Sequence, residues 1–251
     1  MAESLLVIEN VSKHFGGLLA IDKASFQVRT GRITALIGPN GAGKTTLFSI
    51  ISGSLPADDG RILYDGADIT TEPPHKRARR GIARTFQIVQ PFAGLTVREN
   101  IAIGSHLWRR SRAAALAAAN QVALSVGLGA QLDAPAATLT VAGSKRLELA
   151  RALAIAPRLL LLDEVLAGLN PSEIRDMVPV VRELTASGIT ILMTEHVMQA
   201  VTALADHVLV LAEGRIIARG TAQEVAADRL VVEAYLGRGA ARRITAGSPH
   251  A

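Results

Sequence analysis

The chain has 251 residues, 49% of them hydrophobic and 20% charged, a globular balance with enough apolar material for a sizeable core. Aromatic residues make up only 3%, so the core must be aliphatic, and the absence of cysteine excludes disulfides and thiolate metal sites. The net charge of +5 suits phosphate-bearing ligands or an anionic surface, but no lysine-rich or aromatic-interleaved tract argues for nucleic acid. No apolar run approaches the ~20 residues that span a bilayer. The start, Met1-Ala2-Glu3-Ser4, lacks the basic and apolar stretches of a secretory signal, so a soluble, cytosolic protein is expected.

Residues 5–11 and 24–28 are rich in β-formers and read as strands, with turn material at Gly16-Gly17. Phe15 falls at the tip of that connection, either as an ordinary core aromatic or as a flat ring able to stack on a nucleobase. An apolar run then ends at Gly38, and a helical pattern begins at Lys44. Between them, Gly38-Pro39-Asn40-Gly41-Ala42-Gly43-Lys44-Thr45-Thr46 has the form G-x-x-x-x-G-K-T, the phosphate-binding loop of nucleoside triphosphatases. Gly41 and Gly43 allow backbone angles that turn successive N–H groups inward around a polyanion. The helix beginning near Lys44 adds its positive dipole end. Lys44 supplies a charge for the β- and γ-phosphates, and the Thr45 hydroxyl is a ligand for Mg²⁺. A bound nucleotide is expected.

A short hairpin follows, around Arg61-Ile62-Leu63-Tyr64 and the turn Asp65-Gly66. The basic run His75-Lys76-Arg77-Ala78-Arg79-Arg80 reads as a solvated helix face. Residues 81–87 read as a strand ending at Gln87, whose amide can ligate a metal or orient water. From Thr96 to about Leu153 the apolar spacing is helical, broken at Gly127, Gly129 and Pro135, as in a helical insertion. Within it, Leu139-Thr140-Val141-Ala142-Gly143 is expected to precede a helix over 144–154.

Residues 158–164, Arg-Leu-Leu-Leu-Leu-Asp-Glu, form a strand apolar at every position, suited to burial on both faces of a parallel sheet. Asp163 at its carboxyl end stands where a second Mg²⁺-shell carboxylate belongs, and Glu164 can polarise an attacking water. A helix over 172–186 and a buried strand over 190–194 lead to Glu195-His196, at a strand end where ligands gather in α/β sheets. The stretch 208–218 reads as a hairpin, and one closing helix carries Val225, Val231, Val232, Tyr235 and Leu236. The glycine-, alanine- and arginine-rich residues 237–251 are expected to be disordered.

With these residues laid out, the chain resembles the ATP-binding subunit of ABC transporters from Leu5 to Leu236. Gly38–Thr46 matches Walker A, Arg84-Thr85-Phe86-Gln87 the Q-loop, and Leu159–Glu164 Walker B with its catalytic acid. Ala167-Gly168-Leu169-Asn170 matches the D-loop, His196 the switch histidine, and Phe15 the aromatic that stacks on adenine. Finer features, Phe15-Gly16-Gly17-Leu18, residues 81–87, Ala167-Gly168-Leu169-Asn170 and Ala234-Tyr235-Leu236-Gly237, look like the longer ATPase subunit of branched-chain amino-acid importers. The resemblance implies an α/β P-loop NTPase core of the RecA-like kind, with an N-terminal antiparallel β subdomain and an α-helical subdomain inserted at about 90–156. It implies one ATPase domain over 1–236, ATP and Mg²⁺ as ligands, and a place on the cytoplasmic face of the membrane. The partners it implies are a second, different ATPase subunit, two transmembrane permeases and an extracytoplasmic binding protein. Transport systems for urea, aromatic acids or lipopolysaccharide, and non-transport ABC ATPases, are the alternatives.

Departures from the family pattern bear on the site. The signature Leu-Ser-Gly-Gly-Gln is replaced by Leu139-Thr140-Val141-Ala142-Gly143, so that Thr140 keeps a hydroxyl, Ala142 replaces a glycine and Gly143 replaces the glutamine. In the family, Thr140, Ala142 and Gly143 would serve the ATP held by the partner subunit. The expectation is either a loop shifted to use Gly143 or a weaker half-site. Val165 replaces the proline usual after Glu164, which bears on turn stiffness.

Overall fold

The computed structural model describes residues 3–85 and 91–236. β1 (Ser4–Phe15) and β2 (Leu18–Arg29) form a long antiparallel hairpin turning at Gly16-Gly17, and both run past the stretches expected from composition. The added residues near the tip include exposed Phe15, Leu18 and Leu19, so they lack the burial that gives a strand its apolar signature. β3 (Ile33–Ile37) is buried throughout and feeds α1 (Lys44–Ser52). β4 (Asp59–Tyr64) and β5 (Ala67–Asp68) complete a four-stranded antiparallel sheet in the order β2-β1-β4-β5.

Next come α2 (Pro74–Arg79) and β6 (Ile82–Arg84), followed by three helices, α3 (Val97–Ser105), α4 (Arg112–Ser125) and α5 (Val141–Leu153). The chain then alternates strand and helix: β7 (Leu159–Asp163), α6 (Pro171–Ala186), β8 (Thr190–Thr194), α7 (Met198–Leu204) and β9 (His207–Ala212). It closes with β10 (Arg215–Gly220), α8 (Ala222–Ala227) and α9 (Arg229–Leu236). The single closing helix expected from the sequence is thus two. Asp228 is extended between them, and its carboxylate accepts the Leu230 N–H at 2.7 Å. Capping boxes start α3 at Thr96/Glu99, α6 at Asn170/Glu173 and α8 at Thr221/Glu224.

The second sheet is six-stranded, in the order β10-β9-β3-β8-β7-β6, and parallel except for β10. Its two faces feed two cores. Leu159 and Leu161 of β7 face the core shared with α1 and the antiparallel sheet, whereas Leu160 and Leu162 face the core shared with the helices. Burial on both sides is why β7 and β8 show no polar alternation. The pairing aligns Asp163 with Thr194 and Leu36 with Thr194, bringing the carboxyl ends of β3, β8 and β7 side by side.

The basic run 75–80 is not wholly a solvated face, because Arg77 is only 2% exposed. Its guanidinium donates to the carbonyls of Ile50 (2.7 Å) and Ile51 (2.8 Å) in the last turn of α1, and to Thr70 and Glu72 (each 2.9 Å). The Ile51 carbonyl at the rear of α1 is thereby satisfied and the Ile50 carbonyl, which also accepts the Gly53 N–H, gains a second donor, so the helix that carries the phosphate loop at its other end is held in place. Arg77→Met removes four charge-assisted donations and leaves buried acceptors unpaired, so it should cost about 3 kcal/mol of folding free energy. Urea denaturation of the two proteins measures it directly; a loss below about 0.5 kcal/mol would contradict this anchoring role.

Candidate nucleotide site

The loop after β3 needs glycine for space as well as for backbone angle. A Cβ on Gly38 would lie 2.0 Å from the Leu211 carbonyl oxygen, and one on Gly43 would lie 2.6 Å from that of Ala20 and 2.7 Å from Ile21 Cδ1. Gly43 also has φ +104° and is the N-cap of α1, whose first N–H groups face the loop. Lys44 folds back over the loop and donates to the carbonyls of Gly38 (2.7 Å) and Pro39 (3.0 Å), leaving one ammonium donor for a ligand. Burial lowers its pKa, and the nearby charges of Glu164 and Asp163 oppose that shift. The turn between β9 and β10 closes the loop from outside: Gly214 donates to the Ala42 carbonyl (3.1 Å) and accepts from the Asp22 N–H (2.9 Å).

Asp163 is buried at the end of β7. Its Oδ2 accepts from the Arg84 guanidinium at 2.7 Å, and its Oδ1 accepts from the Thr194 hydroxyl at 2.9 Å. Its N–H donates to the Thr85 hydroxyl (3.0 Å). Arg84 also reaches Ser49 of α1 (3.0 Å) and lies over the Phe48 ring (5.9 Å), joining α1 to β7. Nothing in the local sequence marks Arg84 or Thr194 as partners of Asp163.

The next residue, Glu164, has φ +51°, a left-handed conformation at a non-glycine position, and its N–H donates to the Thr194 carbonyl (3.1 Å). Its Oε1 is in hydrogen-bonding contact with His196 Nε2. Lys145 of α5 donates to the Glu164 carbonyl (3.2 Å). Buried Glu195 accepts the Leu166 N–H (2.9 Å) through Oε1, while its Oε2 has no hydrogen-bond partner among the described residues.

Phe15, Asn40, Gly41, Ala42, Gly43, Lys44, Thr45, Thr46, Glu164 and His196 all line one cleft of about 1040 Å³. Asp163 lies behind it and Gly38 beneath the loop, whereas Gln87 falls outside the described residues. Phe15 is 47% exposed, which sets aside the reading of it as a core aromatic. Thr140, Ala142 and Gly143 do not line this cleft. The helix there begins at Val141 rather than Ser144, because the Thr140 hydroxyl caps it by accepting the Gly143 N–H at 3.1 Å. Gly143 is buried inside α5, where an added Cβ would lie 3.3 Å from Leu139, so the loop is not shifted to present it.

A family model described as "ABC transporter" matches residues 21–167, more than half of the chain. The chain belongs to the ABC transporter family. A second model, the branched-chain amino acid ATP-binding cassette transporter, matches residues 215–241. Relatives include a probable branched-chain amino acid transport ATP-binding protein, LivG, of Archaeoglobus fulgidus, 37% identical over 93% of this chain and 95% of its own. The high-affinity branched-chain amino acid transport ATP-binding protein BraF of Pseudomonas aeruginosa is 35% identical over 94% and 99% respectively. A crystal structure of a nucleotide-free ATP-binding cassette from an ABC transporter superimposes with a TM-score of 0.87, at 35% identity over 94% of this chain and 100% of that one. The ADP conformation of another cassette gives 0.86 at 36% identity, over the same shares of the two chains. The mixed α/β P-loop architecture is therefore that of ABC ATPase cassettes.

Burial pushes the Glu195 carboxyl up to about 7 from an ordinary 4.5, reinforced by the charge of Glu164 and opposed by the N–H groups of Leu166 and His196 and by Lys145. The folded protein then holds a proton that the unfolded chain releases above its ordinary value. Stability should fall as pH rises from about 4.5 to 7, by roughly 2–3 kcal/mol from this group. Glu195→Gln keeps an acceptor for Leu166 and cannot ionise. Its stability relative to the parent should rise by that amount between pH 5 and pH 8 in urea unfolding; a pH-independent difference would contradict the shift.

Proposed function

We propose that this chain is the ATP-binding and ATP-hydrolysing subunit of an importer for branched-chain amino acids. The observation that carries the reading is the branched-chain cassette model over 215–241, joined to a phosphate-loop site and to relatives bearing that name over nearly the whole chain. Residues 3–85 and 91–236 contain no helix long and apolar enough to cross a membrane. In this proposal two partner permeases form the solute path, a second ATPase subunit and an extracytoplasmic binding protein complete the assembly, and this chain docks at the cytoplasmic face. A single ATPase domain over 1–236, with the helices between β6 and β7 as an inserted subdomain, is part of this proposal.

In the proposed reaction the loop N–H groups and Lys44 hold the β- and γ-phosphates, and adenine stacks on Phe15. Glu164, turned into the cleft by its left-handed backbone, orients and polarises the water that attacks the γ-phosphorus. The bond from phosphorus to the β,γ-bridging oxygen breaks, leaving ADP and phosphate. His196, in contact with Glu164, fixes the direction of that carboxylate. The residues fit Mg²⁺ through hard oxygen donors: Thr45 lines the cleft and would hold it together with Gln87. The Asp163 carboxylate, already accepting from Arg84 and Thr194, would act on it from behind the cleft, and a magnesium ion shared with phosphates needs only one or two ligands from the protein. When bound it neutralises charge on the phosphate oxygens.

A groove beside β6 has an apolar side of Ile82, Ala83, Ile103 and Ile155 and a polar side that includes Asn100, Glu148 and Arg151, with exposed Ile103 among its lining. This groove suits an amphipathic permease segment. In a dimer, Thr140 and Ala142 would face the ATP of the partner ATPase subunit, while Gly143, expected from the family pattern to join them, is buried behind them in α5.

Phe15→Ala should weaken ATP binding several-fold, because aromatic stacking contributes about 0.5–1.5 kcal/mol beyond area burial, and Phe15→Trp should retain it. Calorimetry of the three proteins decides, and equal affinities would remove the stacking role. In reconstituted vesicles, Glu164→Gln should stop most ATP-driven uptake of labelled leucine. The matching substitution in a different partner subunit should cost much less, since the opposite site must approach the Ala142 methyl and a lost oxyanion donor costs ~10²–10³-fold elsewhere. Equal losses would overturn the asymmetry, and absence of any branched-chain uptake by the parent transporter would overturn the solute assignment.

A further inference from the structure

A second cleft, of about 890 Å³, opens between the two sheets where β3 and β9 begin, at the opposite end of β3 from the phosphate loop. Four cationic or ionisable nitrogen groups line it: Arg29 at the end of β2, Arg32 before β3, His207 at the start of β9 and Arg219 near the end of β10. Its two carboxylates are already engaged. Glu9 pairs with Arg61 at 2.9 Å, and Asp206 accepts the Ile33 N–H at 2.8 Å and lies 3.8 Å from Arg32. The Arg29 side chain makes no hydrogen bond or ion pair among the described residues, although its backbone belongs to the β1–β2 ladder. Arg219 makes one long contact, 3.5 Å to the Ser25 carbonyl.

These groups converge. Arg29 and Arg219 both act on His207, which burial and these two guanidinium charges hold below the ordinary imidazole pKa. Glu224 is the one carboxylate acting in the other direction, and it is committed to the N-terminus of α8, accepting the Thr221 N–H at 2.7 Å. The end of β2 and the β9–β10 hairpin, distant in sequence, therefore bring two guanidinium groups and an imidazole together around a concave surface. The remaining side chains of the wall include Asn10 and Gln27, whose amide groups can donate hydrogen bonds. Such a collection is unfavourable by itself and is relieved by an anion, to which guanidinium groups present paired donors.

We propose that this cleft is a second ligand site, separate from the nucleotide cleft, that binds a small oxyanion through Arg29 and Arg219, with His207 as a further donor. The shared chemistry is a carboxylate- or phosphate-bearing small molecule. The site does not depend on the transported solute or on the hydrolytic roles assigned above.

The test uses the full chain, with citrate and inorganic pyrophosphate as the two probes and sodium chloride at matched ionic strength as the control. The His207 imidazole resonance, assigned with His207→Gln, reports on this cleft rather than on the phosphate loop. At least one probe should shift it saturably and raise its midpoint of titration, while chloride does not. Apparent affinity should fall at least tenfold in the double variant Arg29→Gln/Arg219→Gln. Arg219→Glu, a second variant that supplies an internal carboxylate, should abolish the response and raise the His207 midpoint without any probe. Response to citrate alone identifies a carboxylate ligand, to pyrophosphate alone a phosphate ligand, and to both an unselective oxyanion site. No saturable shift with either probe, a shift reproduced by chloride, or a response undiminished in whichever of these variants folds would overturn the proposal.

Discussion

A carboxylate buried at the end of a strand must have its charge answered, and the answer at Asp163 organises the centre of this molecule. With both side chains under 10% exposed, the pair Arg84–Asp163 has little water to share its field. The desolvation cost of such a pair is repaid only by good geometry and by further hydrogen bonds. Thr194 supplies such a bond to the carboxylate from β8, while the Thr85 hydroxyl, in the residue after β6, accepts the Asp163 N–H and fixes its backbone. Because Arg84 also grips Ser49 of α1, one charge ties together the strand that precedes Gln87, the helix behind the phosphate loop and the strand bearing Glu164. Loosening any of these would leave a charge unanswered, so relative movement among them is expensive.

Around that fixed point the remaining titratable groups fall into a graded arrangement. Asp163 is paired with a guanidinium, Glu195 has its ionisation pushed up to about 7 by burial, and Glu164 is less enclosed, with 13% of its side chain open and a partner in His196. Three acids within a few residues of two adjacent strand ends therefore have different environments and can carry different duties. Lys145 reaches this region from α5, so the helix that begins at the altered signature also touches the carbonyl of Glu164 in the same subunit. A change at one end of α5 thus has a direct physical route to the acid.

The antiparallel sheet has a second use beyond covering the core. Its long hairpin carries Phe15 outward over the phosphate loop, and the Ala20 carbonyl near that tip sets the space in which Gly43 and Gly214 must fit. The glycines of the loop are therefore required as much by an approaching strand as by any phosphate. The same two sheets diverge at their other end to leave the arginine-lined cleft, so one packing angle shapes both concave surfaces.

Residues whose chemistry must be contiguous were legible from the chain alone. A phosphate loop needs successive N–H groups, glycines and a lysine in one stretch, and strands buried on both faces need unbroken apolar runs, so Gly38–Thr46, β7 and β8 could be read directly. Phe15 and His196 could be named but not weighed, since exposure and a contact with Glu164 are properties of packing. Arg77 read as one of five basic residues in a run of six, and its burial against the end of α1 depends on a helix more than twenty residues earlier. The start of α5 at Thr140 turned on which of several residues took the capping role, a choice made by hydroxyl geometry. The sequence by itself determined the phosphate loop and the buried strands, because local steric and hydrogen-bonding demands act between neighbours. Only the tertiary structure decided that Arg84 answers Asp163, that His196 meets Glu164 and that Arg29, His207 and Arg219 share a cleft, because charge pairing across a fold leaves no mark on the spacing of residues along the chain.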